Sequence, residues 1–101
     1  MKTIKITITV ADLDAALAVP WDSRTCLLSQ AVARTFATPP KTCAYGRVVL
    51  PDGRRIYVPD KIASLQMSFD LSHGPNKYAE ETSSEDIRAQ LPLTFTAELS
   101  R

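Results

Sequence analysis

Residues 3–10, "TIKITITV", alternate polar and apolar side chains without a break. Ile4, Ile6, Ile8 and Val10 fall on one side; Thr3, Lys5, Thr7 and Thr9 fall on the other. Successive side chains of a strand point to opposite faces, so this run predicts a β-strand buried on one face only. Near the other end, "LTFTAEL" repeats the pattern, with Leu93, Phe95, Ala97 and Leu99 against Thr94, Thr96 and Glu98. A fold for this chain has to cover one face of both terminal strands and leave the other polar.

The segments between them supply the cover. Thr9 and Asp12 have the spacing of a helix start, and only a short helix fits before Pro20. Asp22 or Ser23 then caps a longer helix whose Leu28, Ala31, Val32, Thr35 and Phe36 form one apolar stripe. "TPPK" at 38–41 ends it, because proline cannot continue a helix and restrains the residue before it. Tyr45, Val48, Val49, Ile56, Tyr57 and Val58 are strand formers around a Pro51-Asp52-Gly53 turn, which predicts a hairpin over 42–58. Pro59-Asp60 opens a second main helix with Asp60 as N-cap, an Ile62, Leu65 and Phe69 face, and Met67 at the flank. Residues 71–91 read as a polar loop insert, with room for one helical turn capped by Ser83 or Ser84. The expected class is α+β: one domain over 1–101, with a four-stranded, mostly antiparallel sheet and two helices on one face. The β-α-β-β-α-β order is that of the ferredoxin-like arrangement, and other α+β arrangements share it.

Composition narrows the functions. The chain has 101 residues, 45% hydrophobic and 23% charged, with a net charge of +1. That is the composition of a globular protein with no global field for nucleic acid or membrane. The apolar stretches are far shorter than the ~20 residues of a membrane span, and the N-terminus lacks the apolar block of a signal peptide. Two cysteines, Cys26 and Cys43, are too few for a disulfide scaffold, so the expected location is the cytoplasm. Charge is nonetheless uneven. Residues 34–61 carry six cations against two anions, and residues 62–101 three cations against six anions. Such polarity favours oriented docking with a charged partner.

No catalytic set is assembled by spacing. Cys26 sits at a helix start, where thiol pKa falls, and His73 is the single histidine. A Cys26–His73 dyad is conceivable, but Cys26 reads better as a small buried residue. No zinc or calcium ligand pattern is present, and three glycines cannot build a phosphate loop, so no metal or cofactor is expected. Glu80, Glu81, Glu85 and Asp86 lie in the most polar stretch, where carboxylates gain little as acid or base. "AYGRVVL" at 44–50 shares part of the aromatic motif of RNA-recognition sheets, but Arg47 and Leu50 stand where aromatic residues would stack. That leaves Tyr45 and Tyr57 for stacking, and Lys41, Arg47, Arg54 and Arg55 for phosphate.

"ITITVADLDAAL" followed by "DSRTCLLSQAVAR" resembles a group of small bacteriophage and prophage accessory proteins. These open with an alternating strand and continue with a small-residue helix led by a Cys. Cys26, Leu28, Ala31, Ala33 and Arg34 match that helix. Phe69-Asp70 matches a helix end of the group, and "PLTFTAEL" at 92–99 its final strand. Leu27 departs from the group's Pro after the Cys, and residues 71–91 are longer. The resemblance implies a phage accessory role in the host cytoplasm and carries no mechanism.

The expected function is therefore non-enzymatic: binding of a host protein, with inhibition of a host defence system as one form of it. The expected contact residues are Lys41, Arg47, Arg54, Arg55, His73, Lys77 and Tyr78, with Arg24 and Arg34 as exposed charges of the first main helix. Nucleic-acid binding by the 42–58 hairpin is the alternative. A small-molecule pocket near Trp21, Cys26 and His73 is a third reading. A free strand edge would also allow a homodimer.

Overall fold

A computed structural model describes residues 2–44, 46–73 and 84–100. The alternating run forms β1 (Lys2–Ile8), with Ile6 and Ile8 buried. Helix α1 (Val10–Leu17) starts at once, because Thr9 and Asp12 close a capping box. Asp12 N–H donates to Thr9 Oγ1 at 3.2 Å, and Thr9 N–H donates to Asp12 Oδ2 at 2.9 Å. Asp12 is almost fully buried, and the Arg34 guanidinium completes its shell at 2.8 Å while also donating to the Thr7 carbonyl. This ion pair fastens the next helix to α1 and β1; Arg34 is exposed, as expected, and is also engaged with Asp12.

That helix, α2 (Leu27–Phe36), begins later than expected. Asp22 closes a turn instead of capping it: Arg24 N–H donates to Asp22 Oδ1 at 2.7 Å and Thr25 N–H to Asp22 O at 3.0 Å. The N-cap is Cys26. The stripe holds, with Leu28, Ala31 and Val32 buried. The helix ends at Ala37, which takes a left-handed conformation with φ 56° just before Pro39 and Pro40.

Three short strands follow: β2 (Thr42–Ala44), β3 (Arg47–Val49) and β4 (Arg55–Tyr57). The turn joining the last two is the expected one. Gly53 N–H donates to Leu50 O at 3.0 Å, and Gly53 has φ +91°, which its missing Cβ permits. Helix α3 (Asp60–His73) takes Asp60 as its first helical residue, while Pro59 O accepts from Ile62 and Ala63. Asp60 therefore sits one position past the expected N-cap, in the first turn, where a carboxylate still faces free N–H groups. The helix runs to His73, and α4 (Ser84–Arg88) precedes β5 (Leu93–Ser100), so within the 71–91 stretch residues 71–73 and 84–88 are helical.

The strands form one five-stranded antiparallel sheet in the order β1-β5-β4-β3-β2. The α+β class stands, but the expected four strands become five, because residues 42–44 pair with β3 as a strand of their own. The ferredoxin-like order is not adopted: β5, the last strand, lies beside the hairpin, and β1 takes the edge. Ile6, Ile8, Val48, Ile56, Phe95 and Ala97 from the sheet share one buried cluster with side chains of each of the described helices, including Leu13, Leu28, Phe69 and Ile87. The helices thus cover a single face, and the opposite face carries residues such as Lys5, Arg47, Arg55, Tyr57 and Glu98.

Adjacent positions on β4 test this one-sided burial. Ile56→Ala removes a fully buried side chain and is expected to lower unfolding free energy by about 2–5 kcal/mol. Tyr57→Ala, on the bare face, is expected to cost less than about 1 kcal/mol, the span of strand propensity. Urea denaturation of both variants reads the difference.

Candidate functional site

The antiparallel register fixes what stands together on the bare face. Ala44 pairs with Arg47, Arg47 with Tyr57, Tyr57 with Glu98, and Glu98 with Thr3, so these five form a row across the whole sheet. Arg55 lies between Val49 and Ser100 in the next row, and Lys5 pairs with Thr96. Three cations, Lys5, Arg47 and Arg55, thus meet one anion, Glu98. No ion pair among the described residues engages Lys5, Arg47 or Arg55. Tyr57, 37% exposed, joins Thr96 and Glu98 in lining a shallow depression of about 260 Å³.

Other expected contact residues lie elsewhere. Arg54 is engaged within the hairpin: its Nε donates to Asp52 Oδ2 at 2.7 Å, and its guanidinium lies 5.4 Å from the centre of the Phe36 ring. Lys41 lines a separate open groove with Asp22, Arg24, Pro39, Pro40 and Pro51. Arg24 pairs with Asp22 at 3.4 Å. His73 bonds through Nε2 to the Val19 carbonyl at 2.9 Å and tilts against Phe69. It is not a partner of Cys26, so the Cys26–His73 dyad is not formed. Lys77 and Tyr78, with Tyr45, Glu80, Glu81 and Ser83, lie outside the described residues.

The structure instead brings Cys26 to Cys43. Both line a cavity of about 100 Å³ with Trp21, Ala63, Gln66 and Asp70. Cys26 Sγ lies 3.2 Å from Ser29 Oγ and 3.6 Å from the Ser23 carbonyl. A hydrogen bond from the Cys43 thiol outweighs burial and brings the Cys26 pKa down to about 7. The same contact and burial push Cys43 far up. The cavity floor is a hydrogen-bond chain: Leu28 N–H donates to Gln66 Oε1, while Gln66 Nε2 and Trp21 Nε1 both donate to Asp70 Oδ1, all at 2.7 Å.

Sequence reasoning grouped Trp21 with Cys26 and His73 around a pocket; Trp21 and Cys26 do line this cavity, His73 does not, and the hydrogen-bond chain was missed. Its two signals were the i, i+4 spacing of Gln66 and Asp70 on α3, and an indole N–H that needs an acceptor when buried. The cavity lies below the ~300 Å³ at which ligand pockets begin, so it admits only molecules of a few heavy atoms. Among the described residues no group of three His, Cys, Asp or Glu side chains is placed to hold a metal ion, and no helix is long and apolar enough to cross a membrane.

Burial raises the Asp70 pKa above its usual 3.8, and this outweighs the lowering by Trp21 and Gln66. A raised carboxyl pKa means that the folded state holds its proton longer than the unfolded chain does. The contribution of Asp70 to stability is then greatest at low pH and falls as pH rises past about 4 toward the folded-state value. Asp70→Asn keeps the acceptor for both donors and removes the ionisation. Urea denaturation across a pH series is expected to show the variant gaining on the wild type as pH rises past about 4, then a constant difference. A difference independent of pH would refute the assignment.

No family model, curated protein or solved structure matches the chain.

Proposed function

We propose that the chain is a non-enzymatic binding module whose working surface is the bare face of the sheet, and that its partner is an acidic surface on a host protein. The single observation that carries this reading is the one-sided cover of the sheet. The helices of the described residues all pack on one face, while Arg47, Arg55 and Lys5 stand on the other without ion pairs among those residues. Strands hold these cations in fixed register, so docking orders little that is not already ordered. Complementary charge gives such a surface orientation and a fast encounter. Tyr57, at the centre of the row, provides an aromatic anchor of the kind that dominates interface energetics.

The phage-like motifs supply the biological side of the proposal. The resemblance itself carries no mechanism; in this proposal the chain occupies a surface that a host protein needs, and blocking a defence protein is one such action. Nucleic acid is the second reading, favoured by Tyr57 flanked by Arg47 and Arg55. Glu98, directly opposite Tyr57, sets a like charge against a passing phosphate and ranks this reading lower.

The double variant Arg47→Glu, Arg55→Glu reverses the face without touching the core. In capture from nuclease-treated bacterial lysate, the wild type is expected to retain acidic protein at low salt and release it at high salt. The variant is expected to retain none of it. Equal capture by the two proteins would overturn the assignment. Salt-dependent binding of labelled single-stranded RNA by the wild type alone, without protein capture, would transfer it to the second reading.

A further inference from the structure

The thiol cavity lies on the covered side of the sheet, away from the proposed docking face, and calls for its own account. Cys26 is the N-cap of the ten-residue α2, and Cys43 reaches it from β2, the short strand at the sheet edge. They are the chain's two cysteines, both free, and they line one cavity of about 100 Å³. Cys26 is 2% exposed, whereas Met67 at the rim of the same cavity is 46% exposed. A bulky disulfide reagent cannot reach Cys26, but a molecule the size of two waters fits, since one water occupies about 30 Å³ of liquid.

We infer that Cys26 and Cys43 are a reversible dithiol–disulfide pair oxidised by a small hydroperoxide, with Cys26 attacking and Cys43 resolving. The donors around Cys26 suit the attacking role. In the thiolate form the sulfur accepts from Cys43 S–H, and the Ser29 hydroxyl, which donates to the Ser23 carbonyl, turns to the sulfur. A thiolate held near neutral pH is the reactive form. Cys43, which keeps its proton, waits as the second thiol.

The chemistry balances in two steps. The Cys26 thiolate attacks one peroxide oxygen, the O–O bond breaks, and Cys26 becomes a sulfenic acid. With hydrogen peroxide the other oxygen leaves as hydroxide, and the proton that Cys26 released on ionising converts it to water. The Cys43 sulfur then attacks the Cys26 sulfur and forms the S–S bond. The sulfenic hydroxyl leaves with the Cys43 proton as water. Two thiols lose two electrons, and one peroxide is reduced to two waters. A dithiol reductant reverses the product by thiol–disulfide exchange.

The test uses the whole reduced chain, a few equivalents of hydrogen peroxide, alkylation of the remaining thiols and peptide mass spectrometry. The expected product is an intramolecular Cys26–Cys43 disulfide: a mass loss of two hydrogen atoms, no alkylation at either position, and recovery with dithiothreitol. Sulfoxide at the exposed Met67 reports that peroxide was delivered. Cys43→Ser is expected to accumulate a Cys26 sulfenic acid that dimedone traps, and Cys26→Ser to lower thiol oxidation at least about tenfold, as loss of an activated thiolate would. Oxidised Met67 with both thiols still alkylated in the wild type would overturn the inference without recourse to any variant. So would intermolecular disulfides alone, or undiminished oxidation of Cys43 in Cys26→Ser.

Discussion

Strand β5 is the constraint on which the rest of the structure depends. It alone joins the N-terminal strand to the β2-β3-β4 meander, through antiparallel pairing with β1 on one side and β4 on the other. Its register sets Phe95 opposite Ile6, Ala97 opposite Ile4, and Leu99 opposite Ile56. A slip of one residue would turn Thr94, Thr96 and Glu98 into the core and expose the apolar set. The same register puts Glu98 beside Tyr57 on the bare face, so the core and the proposed docking surface are two outcomes of one pairing.

The helices are held to that sheet by apolar burial and by a small number of polar ties. Asp12 is the clearest of these. One carboxylate serves the capping box of α1 and receives Arg34 from α2, whose guanidinium also reaches the Thr7 carbonyl of β1. A buried carboxylate with that many donors is satisfied, and removing a single partner would leave a buried charge uncompensated. Asp70 makes a second tie, drawing Trp21 and Gln66 together beneath the cavity.

Much of this was legible in the sequence where the signal is local. The period-two runs of β1 and β5, the Thr9–Asp12 box, the α2 stripe and the Pro51-Asp52-Gly53 turn each follow from side chains within a few positions of one another. Strand order was not legible, because alternation satisfies one buried face whatever the neighbours are. Three-residue strands such as β2 carry too few positions to show a period. The start of α2 was misplaced because Asp22 suits an Asx turn as well as a cap. The thiol pair and the Asp12–Arg34 bridge join residues on different elements, and only the packed chain brings them together. Of the expected contact residues, Arg47 and Arg55 share the bare face because their strands pair. Arg54, one residue from Arg55, turns to the covered side and stacks on Phe36.

The central claim is that a sheet covered on one side presents its other side as a basic docking face. The direct measurement is a nuclear magnetic resonance titration of the isotope-labelled chain with a synthetic Asp- and Glu-rich peptide. The account predicts shifts concentrated at Arg47, Val49, Arg55, Tyr57 and Glu98, which weaken as salt is added. Shifts confined to α2, α3 or the groove around Lys41, or none along β3, β4 and β5, would contradict it.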